Sequence, residues 1–191
     1  IYRGLVGSEM CIRDRNVVAS VIMSIEEGIN IEDISEALLT CKTVERRFEV
    51  ISNNIFNKGI TLVDDYGHHP EEIKVTLETI DKVWKDNKKV VIFQPHRYSR
   101  TKALFKEFVE ILSEIDDLIL LDVYPASENI IKGFESDDLL KAANKKNNII
   151  KANGVEDALL KLKELLNDHS LILTQGAGNT SALAKLISEH Q

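Results

Sequence analysis

The feature that most constrains this chain is an alternation. Four short apolar runs, Ile60–Asp64, Lys89–Phe93, Leu118–Leu121 and Ser170–Thr174, are separated by stretches with helical periodicity. Pro70–Trp84 places Ile73, Leu77, Ile80 and Trp84 on one stripe, and Lys102–Ser113 does the same with Leu104, Phe108, Ile111 and Leu112. Ser136–Lys145, Val155–Leu166 and Asn179–Glu189 read as further helices, and Asn148–Lys151 as one more short strand. Strands alternating with helices of this length build βαβ units and a parallel sheet. Strands that are apolar throughout, rather than every second residue, are buried on both faces, so helices are expected on both sides. The predicted class is α/β with a mostly parallel sheet. Pro70 suits the first helical position with Glu71 and Glu72 behind it, and Ser136 reads as an N-cap.

The chain upstream reads differently. Asn16 to Thr40 is helical, with Val17, Val21, Ile22 and Ile25 on one stripe, Gly28 closing the first helix, and Glu32–Leu39 as a second. Arg46–Ser52 reads as a strand and Asn53–Gly59 as turn chemistry, so the domain boundary is expected near Cys41–Glu45. The first fifteen residues, IYRGLVGSEMCIRDR, have neither the apolar core nor the cleavage site of a signal peptide. From Met10 they resemble a translated transposase mosaic-end sequencing adaptor, ATG TGT ATA AGA GAC AG. Residues 1–15 are therefore expected to be an unstructured artefact.

Composition narrows the function classes. With 24 basic against 31 acidic residues the formal net charge is −7, which argues against a general nucleic-acid or anionic-membrane binder. No run approaches the roughly 18 apolar residues of a membrane span. Two cysteines, Cys11 and Cys41, are too few for a disulfide scaffold and point to the cytoplasm.

Ligands of an open parallel sheet bind beyond the carboxyl ends of the strands. The segments following the strands are Asp64-Asp65-Tyr66-Gly67-His68-His69-Pro70, Gln94 to Thr101, Asp122 to Glu128, and Gln175 to Thr180; all are polar, ionisable or glycine-rich. At the opposite edge Lys85–Lys88 is a plain solvated turn. Asp64 and Asp65 read equally well as site residues or as simple turn or cap residues. Adjacent His68 and His69 point to opposite sides of an extended segment, so one faces a ligand and the other a helix cap, and a shared metal is not expected. Arg97 and Arg100 sit near a helix start, where the dipole disfavours cations, which points to an anion between them. The alternative is a pair of solvated arginines. Gly176-Ala-Gly178 is a weak anion-cradling signal or simply a tight strand–helix turn. A right-handed crossover is expected to put His68 and Arg97 on neighbouring strands, facing one small anion. No G-x-x-x-x-G-K-[ST], CxxC or HExxH occurs.

Leu62-Val-Asp-Asp-Tyr-Gly-His-His-Pro70, Phe93-Gln-Pro-His-Arg-Tyr-Ser-Arg-Thr101, Asp122-Val-Tyr-Pro-Ala126 and Thr174-Gln-Gly-Ala-Gly-Asn179, with Arg46-Arg47-Phe48 at the entry, resemble the Mur ligase family of peptidoglycan synthesis. The resemblance implies a Rossmann-like C-terminal domain over 46–191, preceded over 16–45 by a truncated helical remnant of the central ATPase domain. It implies an ATP-dependent ligase of the branch that joins L-alanine to UDP-N-acetylmuramate through an acyl phosphate. Mg2+ would be held by a central domain absent here, so the piece alone is expected to be inactive. By position, Tyr66, His68, Arg97 and Arg100 would hold L-alanine; Asn16, Arg47 and Asp65 would touch the nucleotide; and Gly176, Gly178 and Asn179 would form a product-side turn. The alternatives are a fragment of a murein-peptide recycling ligase and a free-standing Rossmann-like anion-binding module.

Overall fold

A computed structural model describes residues 12–40, 45–143 and 148–190. Cys11, Cys41 and most of the adaptor-like leader lie outside the described residues. The chain divides into two units, 1–47 and 48–191.

In the first unit, α1 (Ile12–Glu26) begins inside the segment read as unstructured, and α2 spans Ile31–Thr40. At the end of α1, Ile29 N–H donates to Ser24 O and Gly28 N–H to Ile25 O, the paired closing bonds of a helix terminated by a left-handed glycine. Asn30 starts α2 by accepting from the Asp33 N–H at 2.8 Å. Val17, Ile22, Met23, Ile25, Leu38 and Leu39 are exposed, and Ile34 is buried.

The second unit is built on a six-stranded sheet. Its elements are β1 (Glu49–Ile55), β2 (Ile60–Asp65), α3 (Pro70–Val83), β3 (Lys89–Phe93), α4 (Tyr98–Ala103), α5 (Phe105–Leu112), β4 (Asp117–Leu121), α6 (Ser136–Ala143), β5 (Asn148–Ala152), α7 (Val155–Leu165), β6 (Leu171–Gln175) and α8 (Thr180–Ser188). The strand order is β1-β2-β6-β3-β4-β5, with β1 antiparallel and the other pairings parallel. Two cores result from strict alternation along the strands. Val63, Val91, Phe93, Leu118, Leu120, Leu171 and Leu173 face α3, α5 and α6. Leu62, Val90, Ile92, Ile119, Leu121 and Ile172 face α7 and α8. Crossovers from β2 out to β5 use helices of the first face, and the return to β6 uses α7 on the other, as a constant crossover hand requires.

Four local expectations are corrected. β2 and β3 are not neighbours, because the last strand, β6, pairs with both. The helix expected from Lys102 begins at Tyr98 and is interrupted at Leu104, where φ is −117° and ψ 28°, giving α4 and α5. The first strand starts at Glu49 rather than Arg46. Ser136 is not an N-cap: it is the first helical residue, and its hydroxyl donates to Leu121 O at 2.7 Å, tying α6 to β4.

Because β6 is flanked on both sides, Leu173 has no route to solvent. Leu173→Ala is expected to lower unfolding stability by about 2–5 kcal/mol in urea titration. Val75→Ala, on the solvent side of α3, should stay within about 0.5 kcal/mol.

Candidate functional site

The carboxyl ends of β2, β6 and β3 are level: Asp65 pairs with Gln175, and Gln175 with Phe93. Two buried amide side chains organise the loops beyond these ends. Gln175 Nε2 donates to Asp65 Oδ1 at 2.9 Å and to Gly67 O at 3.0 Å. Those two acceptors dictate the amide's orientation, and Gln175 Oε1 has no hydrogen-bond partner among the described residues. Gln94 Nε2 donates to Asp122 O at 3.0 Å while its Oε1 accepts from the Asn179 N–H. Gln175 thus ties β6 to the β2 loop, and Gln94 ties the β3 end to the β4 and β6 loops. The turn after β6 must lie flat against Gln94. A Cβ at Gly176 would stand 2.8 Å from Gln94 O, and one at Gly178 would overlap Gln94 Oε1. Close packing against Gln94 therefore requires glycine at both positions.

The acidic pair of β2 is structural in its contacts. Asp64 Oδ1 accepts from the Thr174 hydroxyl at 2.6 Å. Asp65 accepts through Oδ1 from the Gly67 N–H at 2.6 Å and through Oδ2 from the Phe48 N–H at 2.8 Å, besides Gln175. The two histidines diverge. His69 is the N-cap of α3, its Nδ1 accepting from the Glu71 N–H at 3.4 Å, while Glu72 reaches back to the N–H groups of His68 and His69. His68 turns the other way, with Nδ1 3.1 Å from Tyr66 O.

His68 opens a row of four rings across the strand ends. Tyr66 meets His68 edge-on, His68 meets His96, and His96 stacks on Tyr124 at an interplanar angle of 9°, each pair with centroids 5.4 Å apart. The row spans the loops of β2, β3 and β4, so it bridges the gap that β6 opens. His96 is held by main chain as well: Tyr124 N–H donates to Pro95 O and Arg97 N–H to Tyr124 O, both at 2.8 Å.

The arginines flank this histidine. Arg97 occupies the N-cap position of α4 with φ 72°, an expensive conformation for a side-chain-bearing residue. It is held there by the Tyr124 contact and by Thr101, whose N–H and hydroxyl donate to Arg97 O at 3.1 and 2.9 Å. Arg100 Nη1 lies 3.4 Å from His96 Nδ1 and 3.3 Å from His96 O. Arg97 is exposed and Arg100 half-buried. Burial first, then the neighbouring His68, Arg100 and Arg97, hold the His96 imidazole below its ordinary pKa. A neutral ring can accept the Arg100 proton, so burial and hydrogen bonding favour the same state.

The structure therefore places His68 and Arg100 against His96, with Arg97 next to it in the chain and Tyr66 joined to the row through His68. Gly176, Gly178 and Asn179 pack behind, against Gln94. Asn16 and Arg47 belong to the first unit. Beside the ring row a cavity of about 310 Å³ opens between Gln94, Asp122, Tyr124, Gly154 and Asn179, with Tyr124 as the shared wall. Sequence reasoning passed over His96, Tyr124, Gln94 and Gln175. They lie in segments it had marked, but their roles come from partners on other strands. No group of three or more His, Cys, Asp or Glu side chains suited to a metal occurs among the described residues. No helix among them is long and apolar enough to cross a membrane.

Comparison with known proteins adds sequence support. Residues 46–178 match the family described as Mur ligase, glutamate ligase domain. A UDP-N-acetylmuramate–L-alanine ligase of Hydrogenovibrio crunogenus is 43% identical over 175 residues, covering 89% of this chain and 38% of the relative. Its counterpart in Francisella tularensis is 38% identical over 175 residues, covering 92% and 38%. A crystal structure of the Thermotoga maritima UDP-N-acetylmuramate-alanine ligase superposes with a TM-score of 0.62 at 26% identity, over 91% of this chain and 36% of that one. The chain thus spans well under half the length of these relatives.

A depressed His96 pKa has a testable sign. The imidazole should titrate in NMR with a midpoint below 6.5. The unfolded chain takes up that proton more readily, so this contribution to stability is complete above pH about 6.5 and lost as pH falls through the folded-state midpoint. A midpoint at or above 6.5 contradicts the assignment.

Proposed function

The chain belongs to the Mur ligase family, and on that premise we propose that it is the C-terminal part of an ATP-dependent ligase that joins L-alanine to UDP-N-acetylmuramate in the cytoplasm, a step of peptidoglycan synthesis. The observation that carries the amino-acid assignment is the pair Arg97 and Arg100 flanking a neutral His96 at the strand ends. Two guanidiniums beside an uncharged ring suit a small carboxylate. They would orient the amino acid by its carboxylate and leave its amine free to attack an acyl phosphate, with phosphate as the leaving group. Catalysis of that kind consists mainly of positioning and charge stabilisation. Tyr66 and His68 would line the amino-acid pocket.

Asn16 and Arg47 in the first unit, and Asp65 in the second, would be the residues that touch the nucleotide. Of these, Asp65 has a competing duty, since Gly67, Gln175 and Phe48 already donate to its carboxylate. Gly176, Gly178 and Asn179 would lie on the product side. No phosphate-binding P-loop sequence occurs in this chain, and no cluster of three Mg2+ ligands occurs among the described residues. Both would be supplied by a central domain. The murein-peptide recycling ligase is less supported, because the curated relatives at 38–43% identity are named as L-alanine ligases.

The test is titration of the 191-residue chain with L-alanine, monitored by NMR at the His96 and arginine side chains. Saturable shifts are expected. Arg97→Ala or Arg100→Ala should weaken binding about tenfold or more, the loss of a charge-assisted hydrogen bond. The chain alone should release no phosphate from ATP with UDP-N-acetylmuramate and L-alanine present. Absence of saturable shifts, or turnover by the chain alone, would overturn the reading. Sequencing the source gene upstream of the Asn16 codon separates it from a free-standing module: H-N-x-x before Asn16 with a P-loop further back is expected, and a start codon there favours the module.

A further inference from the structure

Beside the arginine pair stands a carboxylate from a different loop, Glu128. Pro125 to Glu128 follows β4 in a tight turn, with Ala126 at φ 47° and Ser127 at φ 70°, closed by Glu128 N–H donating to Pro125 O at 2.9 Å. Two left-handed residues in succession are costly without glycine and aim the next side chain across the surface. Glu128 then spans to α4. Its Oε2 accepts from the Ser99 N–H at 2.9 Å and its Oε1 from the Ser99 hydroxyl at 2.6 Å, while Arg97 Nη1 stands at 3.9 Å. These contacts rank clearly. Two short bonds to a charged acceptor are strong, whereas a half-exposed ion pair at 3.9 Å contributes little. The Ser99 hydroxyl and N–H, followed by Arg97, hold the Glu128 carboxyl below its ordinary pKa, so it is ionised wherever this protein is folded near neutral pH.

Ser99 lies between the two arginines in sequence. A carboxylate bonded to both its backbone and its side chain sets the position of the first turn of α4 relative to β4. We infer that Glu128 is a positioning residue for the Arg97–Arg100 pair, acting as a two-bond clamp on Ser99 from the β4–α6 loop rather than as a counter-ion for Arg97. The inference rests on the reading of that pair as the carboxylate site.

The sign of a substitution separates the two roles. A negative charge beside an anion site weakens anion binding, so a bare counter-ion would give tighter L-alanine binding when removed. A clamp gives the reverse. In the 191-residue chain, Glu128→Ala should raise the Kd for L-alanine about tenfold, with amide dispersion otherwise retained and Arg97 and Arg100 Nε–H signals broadened or moved. Glu128→Gln keeps a carbonyl to accept from the Ser99 N–H and a polar group facing the hydroxyl while removing the charge. It should bind as tightly as the parent or tighter. Ser99→Ala removes one arm and should fall between, so the inference stays testable if Glu128→Ala does not fold. Unchanged or tighter binding by Glu128→Ala, or equal weakening by Glu128→Gln, overturns the clamp. Binding lost in Arg97→Ala but unaltered in Glu128→Ala overturns this inference alone. No saturable binding by the parent chain overturns the site reading on which it rests.

Discussion

The arrangement depends on one long-range pairing, the insertion of β6 between β2 and β3. Residues 171–175 hydrogen-bond to 61–65 on one side and to 89–93 on the other, so the centre of the sheet is completed by the last strand in the chain. This separates the β2 and β3 loops by two strand spacings, roughly 9.5 Å. A gap of that width is too great for neighbouring backbones to touch and suitable for side chains to bridge. His68 and His96 bridge it ring to ring, and Gln94 and Gln175 lock its floor.

Burying amides and carboxylates at that floor is tolerable only because they pair with one another and with main chain. Asp65 satisfies three N–H donors at once, from β1's entry, its own loop and β6. The result is a rigid polar frame beneath long arginine side chains, which project from a strained but fully bonded turn. Arg97 adopts φ 72° because Tyr124 and Thr101 hold its peptide on both sides. Strain of this kind persists only where surrounding contacts over-determine the backbone. It keeps Arg97 at the start of α4, where the dipole opposes a cation, whereas Arg100 falls in the last turn of that short helix and not near its start as the sequence suggests.

Electrostatics and packing agree at His96. Burial and flanking cations keep the ring neutral, and stacking on Tyr124 keeps it in one orientation. A neutral ring between guanidiniums preserves their net positive field for an anion. Glu128 is the nearby carboxylate that reduces that field, and its short bonds run to Ser99 rather than to Arg97.

Much of this was legible in local sequence because its cause is local. Apolar runs such as Val90–Phe93 and the stripe Ile73–Ile80 reveal strand and helix through periodicity, and the polar segments after each strand reveal the functional edge. His69 as a cap and Pro70 at the first helical turn follow from residue chemistry alone. The strand order did not follow, because nothing in Leu171–Gln175 states which strands it will join. Nor did the kink at Leu104, the hydroxyl of Ser136 turned to Leu121, or the tasks of Gln94, His96, Tyr124 and Glu128. Each of these is set by a partner elsewhere in the fold. Periodicity and residue type therefore determined the elements and the edge where chemistry gathers. Only tertiary pairing decided which side chains meet there, because their contacts join segments that are far apart in the chain and are brought together by the strand order.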